Sequence, residues 1–289
     1  MLKDILGIDC GMTVVIGSGG KTSLIRRLAE EITGKGSTAV VCTTTHIMRP
    51  DDMPVFETDG SENASPICIP DTTTDNSVNT KKSVNTDNSV SIEGKLKKFI
   101  SSNHGRPVCV GVTDPQNTEK LVSFPIDIIR RAAGANSYIL VEADGAKHMP
   151  LKAHNDREPV IPGGCERVIL VIGAEGFEKP ILEAVHRPEI FAELAKVSTD
   201  TIVTPKLLAG VLSAERKKFG SGRLQIFVNI TDMQGNNNLT DKPAKMTDDM
   251  DYMKSQGFHE TIIKARQIAE LTGWEVYAGC AKKGIAVRC

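Results

Sequence analysis

The chain has 289 residues, with 35 Lys and Arg against 36 Asp and Glu, a formal net charge of −1. Without a global positive field to gather phosphates, this balance sets nucleic-acid binding aside. The longest apolar run, residues 168–174, is far short of the roughly 20 residues of a membrane span, and MLKDILGIDCG at the N-terminus lacks the apolar core of a signal peptide.

Residues 12–16 (MTVVI) read as a short buried strand that runs into Gly17-Ser18-Gly19-Gly20-Lys21-Thr22-Ser23. A helix follows, because Leu24, Ile25, Leu28, Ala29 and Ile32 return to one helical face. Gly34 and Gly36 stop it. Residues 38–42 (TAVVC) form a second strand, ending in Thr43-Thr44-Thr45-His46. The stretch 71–91, DTTTDNSVNTKKSVNTDNSVS, holds a tandem hexad with 3 valines in 21 residues. That cannot anchor a core, so a disordered surface insertion is predicted. The repeats are too few for a parallel β-helix.

Order resumes with a helix over 92–101 and a strand over 108–112. A helix follows Pro125 and ends at Gly134. A strand over 138–141, a loop over 142–162 and a strand over 168–172 come next. Pro188 opens a helix with Ile190, Phe191, Leu194 and Ala195 on one face. Thr204-Pro205 caps another. A strand over 224–228, a helix over 262–271 and a strand over 274–277 complete the pattern. Strands alternate with helices about seven times, which predicts one α/β domain across residues 1–289, a three-layer sandwich around a mostly parallel sheet. Only 8 Phe, 3 Tyr and 1 Trp are present, so the core is built from Ile, Val, Leu and Ala, as buried parallel sheets are.

The glycine cluster carries the strongest chemical signal. A phosphate-binding loop needs glycines to turn backbone N–H groups inward, a Lys for the β and γ oxygens, a hydroxyl for Mg²⁺ and a helix N-terminus aimed at the anion. Gly17, Ser18, Gly19, Gly20, Lys21, Thr22 and Ser23 meet these needs between a strand and a helix. The full G-x-x-x-x-G-K-[ST] pattern is not met, since Val15 takes the place of its first glycine. The shorter G-x-x-G-K-T also occurs in ATP-dependent Mur-type ligases. A P-loop NTPase-like domain binding Mg²⁺ with ATP or GTP is the expectation.

Residues 138–145 (YILVEADG) read as a strand ending in metal-holding acids, the Walker B arrangement. Glu142 and Asp144, at i and i+2, point the same way in an extended strand. Either completes the Mg²⁺ shell with Thr22, and the other orients water. Thr43, Thr44, Thr45 and His46 lie at a strand's carboxyl end, where open α/β sheets place their sites. There they serve as a switch or as a surface strand end. Asn229-Ile230-Thr231-Asp232 is similar to the N-K-x-D element by which GTPases read guanine, with Ile230 in place of Lys. An Asx-rich turn accounts for it equally. The loop 152–159 and His186-Arg187-Pro188 can hold a second substrate or simply be solvated.

VVIGSGGKTSLIRRLAEE, VVCTTTHIMRP, ILVEADGAKHMPLKAHNDREPVIP, VIGAEGFEKPI, AVHRPEIF and VNITD together resemble the YqeC family, the selenium-dependent molybdenum hydroxylase accessory proteins. The resemblance runs in order over residues 12–232. It implies a P-loop NTPase that helps mature hydroxylases carrying a selenium-containing molybdenum cofactor. It places Gly17, Gly19, Gly20, Lys21 and Thr22 on the family's loop and Thr43 to His46 on its T-T-T-H. Glu142, Asp144 and Gly145 fall on E-A-D-G, Lys152, Glu158 and Pro159 on the motif downstream, and His186 with Arg187 on H-R-P. The E-x-x-G spacing is similar to that of metallochaperone GTPases, which couple hydrolysis to cargo delivery.

The implied partners are a molybdenum hydroxylase or a selenium donor protein. The alternatives are an ATP-dependent ligase or kinase acting on a small substrate at Lys152, Glu158 and Arg187, and a nucleotide-gated binding protein that hydrolyses nothing. Seven cysteines without a C-x-x-C pair indicate free thiols and a cytoplasmic location.

Overall fold

A computed structural model describes residues 1–59, 91–231 and 252–289. The 71–91 insertion, apart from Ser91, and Asp232 lie outside the described residues.

Helix α1 (Leu2–Ile5) leads into β1 (Gly11–Gly17), α2 (Lys21–Thr33) and β2 (Ala39–Thr43). Two short strands follow, β3 (His46–Met48) and β4 (Val55–Thr58). Helix α3 (Ile92–Ser102) starts at Ser91, whose hydroxyl accepts the N–H of Gly94, an ordinary N-cap. Then come β5 (Val108–Asp114), β6 (Asn117–Val122), α4 (Ile126–Ala133) and β7 (Tyr138–Glu142). Two-residue strands β8 (Leu151–Lys152) and β10 (Val185–His186) pair in parallel as a separate small sheet. Between them lie β9 (Arg167–Gly173) and α5 (Ile181–Ala184). The chain continues through α6 (Pro188–Ala195), α7 (Pro205–Glu215), β11 (Arg223–Asn229), α8 (Gln256–Thr272), β12 (Glu275–Cys280) and β13 (Ile285–Arg288).

The main sheet has 11 strands in the order β13-β12-β11-β9-β1-β7-β2-β5-β6-β3, with β4 also on β5. From β12 to β5 every pairing is parallel. The antiparallel pairings are β12–β13, β5–β6 and β6–β3. Alternation along β1 divides the core: Met12, Val14 and Ile16 join one apolar cluster, and Val15 joins the other. The first cluster takes in Leu96 and Ile100 of α3, Ile129 of α4, Leu208, Val211 and Leu212 of α7, and Ala265 and Ile268 of α8. The second takes in Leu2 of α1 and Leu24, Ile25, Leu28 and Ile32 of α2. Helices therefore cover both faces of the sheet, as the alternating pattern predicts.

The seven strands read from sequence are the seven parallel strands at the centre. The edge strands carry no apolar alternation. β3 and β4 are half-exposed or exposed throughout, and their pairing comes from neighbours rather than from their own pattern. The predicted loop 142–162 contains β8. Helix α8 begins six residues before its periodic stretch, where the Ser255 hydroxyl accepts the N–H of Phe258. Among the described residues no helix is long and apolar enough to cross a membrane. The six described cysteines are unbonded. Burial pushes the Cys109 thiol up to about 12, which keeps it protonated and inert.

Candidate functional site

The carboxyl ends of β1, β7, β9 and β11 meet at the glycine loop. β1 leaves the sheet at Gly17 with φ +92°, and Gly19 and Gly20 follow at +77° and +128°. A β-carbon on Gly19 would lie 2.4 Å from Gly173 Cα, and one on Gly20 would lie 2.2 Å from Asn229 Nδ2. Only glycine combines this left-handed backbone with so close an approach. Gly20 is also the N-cap of α2 and contributes no side-chain cap. The first N–H groups of α2 and the positive end of its dipole therefore face the loop.

Lys21 is folded back into this cradle and is 5% exposed. Its Nζ donates to Gly17 O at 2.9 Å and pairs with Asp144 Oδ1 at 2.8 Å and Glu142 Oε1 at 3.7 Å. The register Val15↔Glu142 sets the acidic end of β7 beside the loop. Glu142 and Asp144 do point the same way, but their surroundings differ. Asp144 is fully buried. Its Oδ2 accepts the Gly17 N–H at 2.8 Å, lies 2.9 Å from His154 Nε2 and sits 3.2 Å from Lys152 Nζ. Burial opposes ionisation of Asp144, yet Lys21, the His154 hydrogen bond and Lys152 together hold its carboxyl well below the usual range. Glu142 keeps an open side and accepts from the exposed Thr22 hydroxyl at 3.2 Å. Burial, helped by the Asp144 charge, pushes it up against the pull of Lys21.

The Thr43 hydroxyl donates to Glu142 O at 2.8 Å and accepts the Thr45 N–H at 3.0 Å. Thr44 reaches Val160 O at 2.7 Å. The threonines thus adjoin the acidic strand end, whereas His46 lies on edge strand β3 and faces Asp114 at 3.8 Å. Ser18 is buried and donates to Met149 O, and Ser23 is exposed on the first turn of α2. Asn229 at the end of β11 donates through Nδ2 to Gly19 O at 2.8 Å and accepts the Ala281 N–H at 2.9 Å. Both ends of its amide therefore staple the glycine loop to the loop after β12.

A second polar group adjoins the first. Glu158 Oε2 lies 2.7 Å from Lys152 Nζ and 2.8 Å from Arg187 Nη1. Burial raises the Glu158 carboxyl, but these two cations outweigh it and hold the group low. His186 is set beside Lys152 by the β8–β10 register. Burial lowers its ring, and so do the charges of Arg187, Lys152 and Lys147. Arg187 occupies the left-handed region at φ +68°.

Two residues complete the site: Glu215, which the sequence did not single out, and His154, noted there only as part of the loop 152–159. His154 is fully buried between Asp144 and Glu215 of α7, with Nδ1 3.0 Å from Glu215 Oε2. Burial disfavours its charge, but the hydrogen bonds to both carboxylates prevail and raise its protonation range. Glu215 did leave a signal. It continues the stripe Leu208, Val211, Leu212 at helical spacing, and a carboxylate there requires a buried partner. A separate cavity of about 280 Å³, lined by Phe177, Val203, Pro205, Ile263 and Lys264, holds none of the residues named in the site.

A folded-state range raised above the unfolded value of 6.5 for His154 means that its contribution to stability is complete below that pH. The contribution is lost as pH rises through the folded value. Followed by nitrogen-15 NMR, both ring nitrogens should stay protonated to a higher pH than those of an ordinary exposed imidazole. Unfolding free energy should decline at higher pH, and His154→Gln should remove that decline. A ring that loses its proton at or below the ordinary imidazole range would contradict the two-carboxylate clamp formed by Asp144 and Glu215, with Lys218 as the nearby cation.

The fold and site define a three-layer α/β protein with a glycine loop, a buried lysine and an acidic strand end at the carboxyl edge of a parallel sheet. A family model described as "YqeC protein" matches residues 13–189, more than half of the chain, and the chain belongs to the YqeC family. It is 31% identical over 190 residues to the uncharacterized protein YqeC of Escherichia coli (strain K12), an alignment covering 64% of this chain and 61% of that protein. No solved structure matches the chain. The family match spans the glycine loop, the acidic strand end and Arg187, while Glu215 and Asn229 lie beyond it.

Proposed function

We propose that the protein is a P-loop NTPase-like accessory factor. It binds Mg²⁺ with ATP or GTP in the glycine loop, hydrolyses the nucleotide and serves the maturation of selenium-dependent molybdenum hydroxylases. One observation carries the nucleotide reading. Left-handed glycines close against an uncapped helix N-terminus, and Lys21, Thr22 and Glu142 line the result. The strand order supports it as well, since the acidic strand β7 lies directly beside the loop strand β1. The selenium assignment rests on the YqeC resemblance.

In this reading the loop and α2 N–H groups bind phosphate oxygens, and the Lys21 ammonium turns from Asp144 to neutralise their charge. Mg²⁺ would be held by Thr22 and Glu142, where it supplies charge neutralisation between phosphates. Among the described residues no group of His, Cys, Asp and Glu forms a ready metal cage. Glu142 is the better metal carboxylate, because Asp144 is closed off among its donors. Asp144 fixes the loop instead. The client would be a molybdenum hydroxylase or a selenium donor protein.

A second reading, a ligase or kinase, is favoured by Glu158 between Lys152 and Arg187 close to the loop. Such an enzyme shows little hydrolysis until its small substrate is added.

Calorimetry with Mg²⁺ and each nucleotide tests the proposal. Wild type should bind ATP, GTP or both. Lys21→Ala should bind at least about tenfold more weakly, since a hydrogen bond to a charged group is worth about 1.5–3 kcal/mol. Absence of binding by wild type would overturn the nucleotide reading.

A further inference from the structure

His154 takes no part in binding phosphate in this reading, yet both its ring nitrogens are committed to carboxylates. Nε2 is 2.9 Å from Asp144 Oδ2 and Nδ1 is 3.0 Å from Glu215 Oε2. The backbone N–H of His154 donates to Glu215 Oε1 at 2.7 Å. Lys218 closes the far side, 3.9 Å from Glu215 Oε1 and donating to His154 O at 2.7 Å. The Phe219 ring packs edge-on at 5.5 Å. The imidazole therefore has one orientation and no solvent contact. Burying this many charges is costly, and apolar residues of similar volume would pack the space at least as well.

The arrangement converges on one atom. Asp144 Oδ2 takes the His154 contact and also accepts the Gly17 N–H at 2.8 Å. The other oxygen, Oδ1, pairs with Lys21 at 2.8 Å. Bound phosphate draws Lys21 away, so Asp144 must then keep Gly17 in place without its closest cation. Lys152, at 3.2 Å from Oδ2, is shared with Glu158 and with Gly145 O. His154 is held from behind by Glu215 and has no competing acceptor.

We propose that His154 and Glu215 are a positioning pair that, through Asp144, holds the glycine loop in its phosphate-ready form whether or not Lys21 is engaged. The pair ties the C-terminal end of helix α7, through Asp144, to the glycine loop. Its consequence for nucleotide affinity rests on the reading above, while its consequence for the loop itself does not.

Two double variants isolate the donor to Asp144. Both H154L/E215Q and H154Q/E215Q remove the buried charges of His154 and Glu215, but only the second keeps an N–H that reaches Asp144 Oδ2. Hydrogen exchange is read in the nucleotide-free protein on peptides covering residues 14–24. Exchange in H154L/E215Q should be at least about tenfold faster than wild type and at least about threefold faster than in H154Q/E215Q, which shares the loss of the Glu215 charge. Equal exchange in the two overturns the proposal.

Should H154L/E215Q fail to fold, E215Q alone decides. It keeps the ring but loosens its rear hold, and loop exchange should rise by at least about threefold. Wild-type exchange there overturns the proposal. Calorimetry with Mg²⁺ and the preferred nucleotide should show the same ranking of the doubles. Wild-type affinity in both doubles, beside lost binding in Lys21→Ala, sinks the positioning pair alone. Absence of nucleotide binding by wild type sinks the functional reading alone, because the exchange comparison needs no nucleotide.

Discussion

Replacing Gly19 by alanine is expected to lower the unfolding free energy by about 2–5 kcal/mol and to abolish nucleotide binding. Two costs add. A non-glycine residue at φ +77° gives up about 1–2 kcal/mol to the left-handed backbone. The new β-carbon would also lie 2.4 and 2.5 Å from Gly173 Cα and N and 2.8 Å from Pro150 O. All three are backbone atoms of neighbouring segments, so no side chain can rotate out of the way. Overpacking of this kind costs about 1–3 kcal/mol. Gly36→Ala is the matched control, since Gly36 has φ +79° and nothing within 4 Å of the added carbon. It should lose only the backbone cost, about 1–2 kcal/mol. Urea unfolding of both variants makes the comparison. Equal losses would mean that the glycine loop does not lie against β9 and the Met149–Pro150 turn as described.

Glu215→Ala should be the most damaging removal of a single charge, at about 3–5 kcal/mol. It strands the His154 backbone N–H and leaves a buried imidazole with Asp144 as its one carboxylate. Glu215→Gln keeps an acceptor and the packing of α7, and should cost about 1–3 kcal/mol. Arg131→Ala sets the scale for an exposed pair. Arg131 Nε lies 2.7 Å from Glu93 Oε2, with both side chains more than a third exposed, and its loss should cost at most about 1 kcal/mol. Urea melts at pH 7 rank the three. A Glu215→Ala effect as small as that of Arg131→Ala would show that the cluster behind the loop contributes no net stability.

What could be read from the sequence follows from distance along the chain. β1, the glycine loop and α2 are contiguous, so their apolar spacing and glycines announced them directly. The acidic end of β7 was equally local, and period-two geometry correctly put Glu142 and Asp144 on one side. Their division of labour was hidden. It depends on which acid lies beneath His154 and which beside Thr22, and those contacts span 10 and 120 residues. Glu215 meets His154 across 61 residues, and only its place in an apolar stripe hinted at burial. Asn229 drew notice for its resemblance to a base-reading element, whereas the observed amide holds Gly19 and Ala281, 210 and 52 residues away. Strands β3, β4, β6 and β13, toward the two ends of the sheet, were missed because short and partly exposed strands need no sustained apolar alternation.

The Asn229 staple also sets a timetable for biosynthesis. Gly19 is translated 210 residues before the amide that closes on it, and Ala281 follows 52 residues later still. At about 5–20 residues per second the first interval alone lasts roughly 10–40 s. Throughout that time β1 and α2 are available to fold locally, but the loop between them lacks the partner that fixes its curvature. A nascent chain stalled before β11 would have the sequence of a phosphate loop without its finished shape, and the loop gains its finished curvature only as the far half of the sheet is laid down.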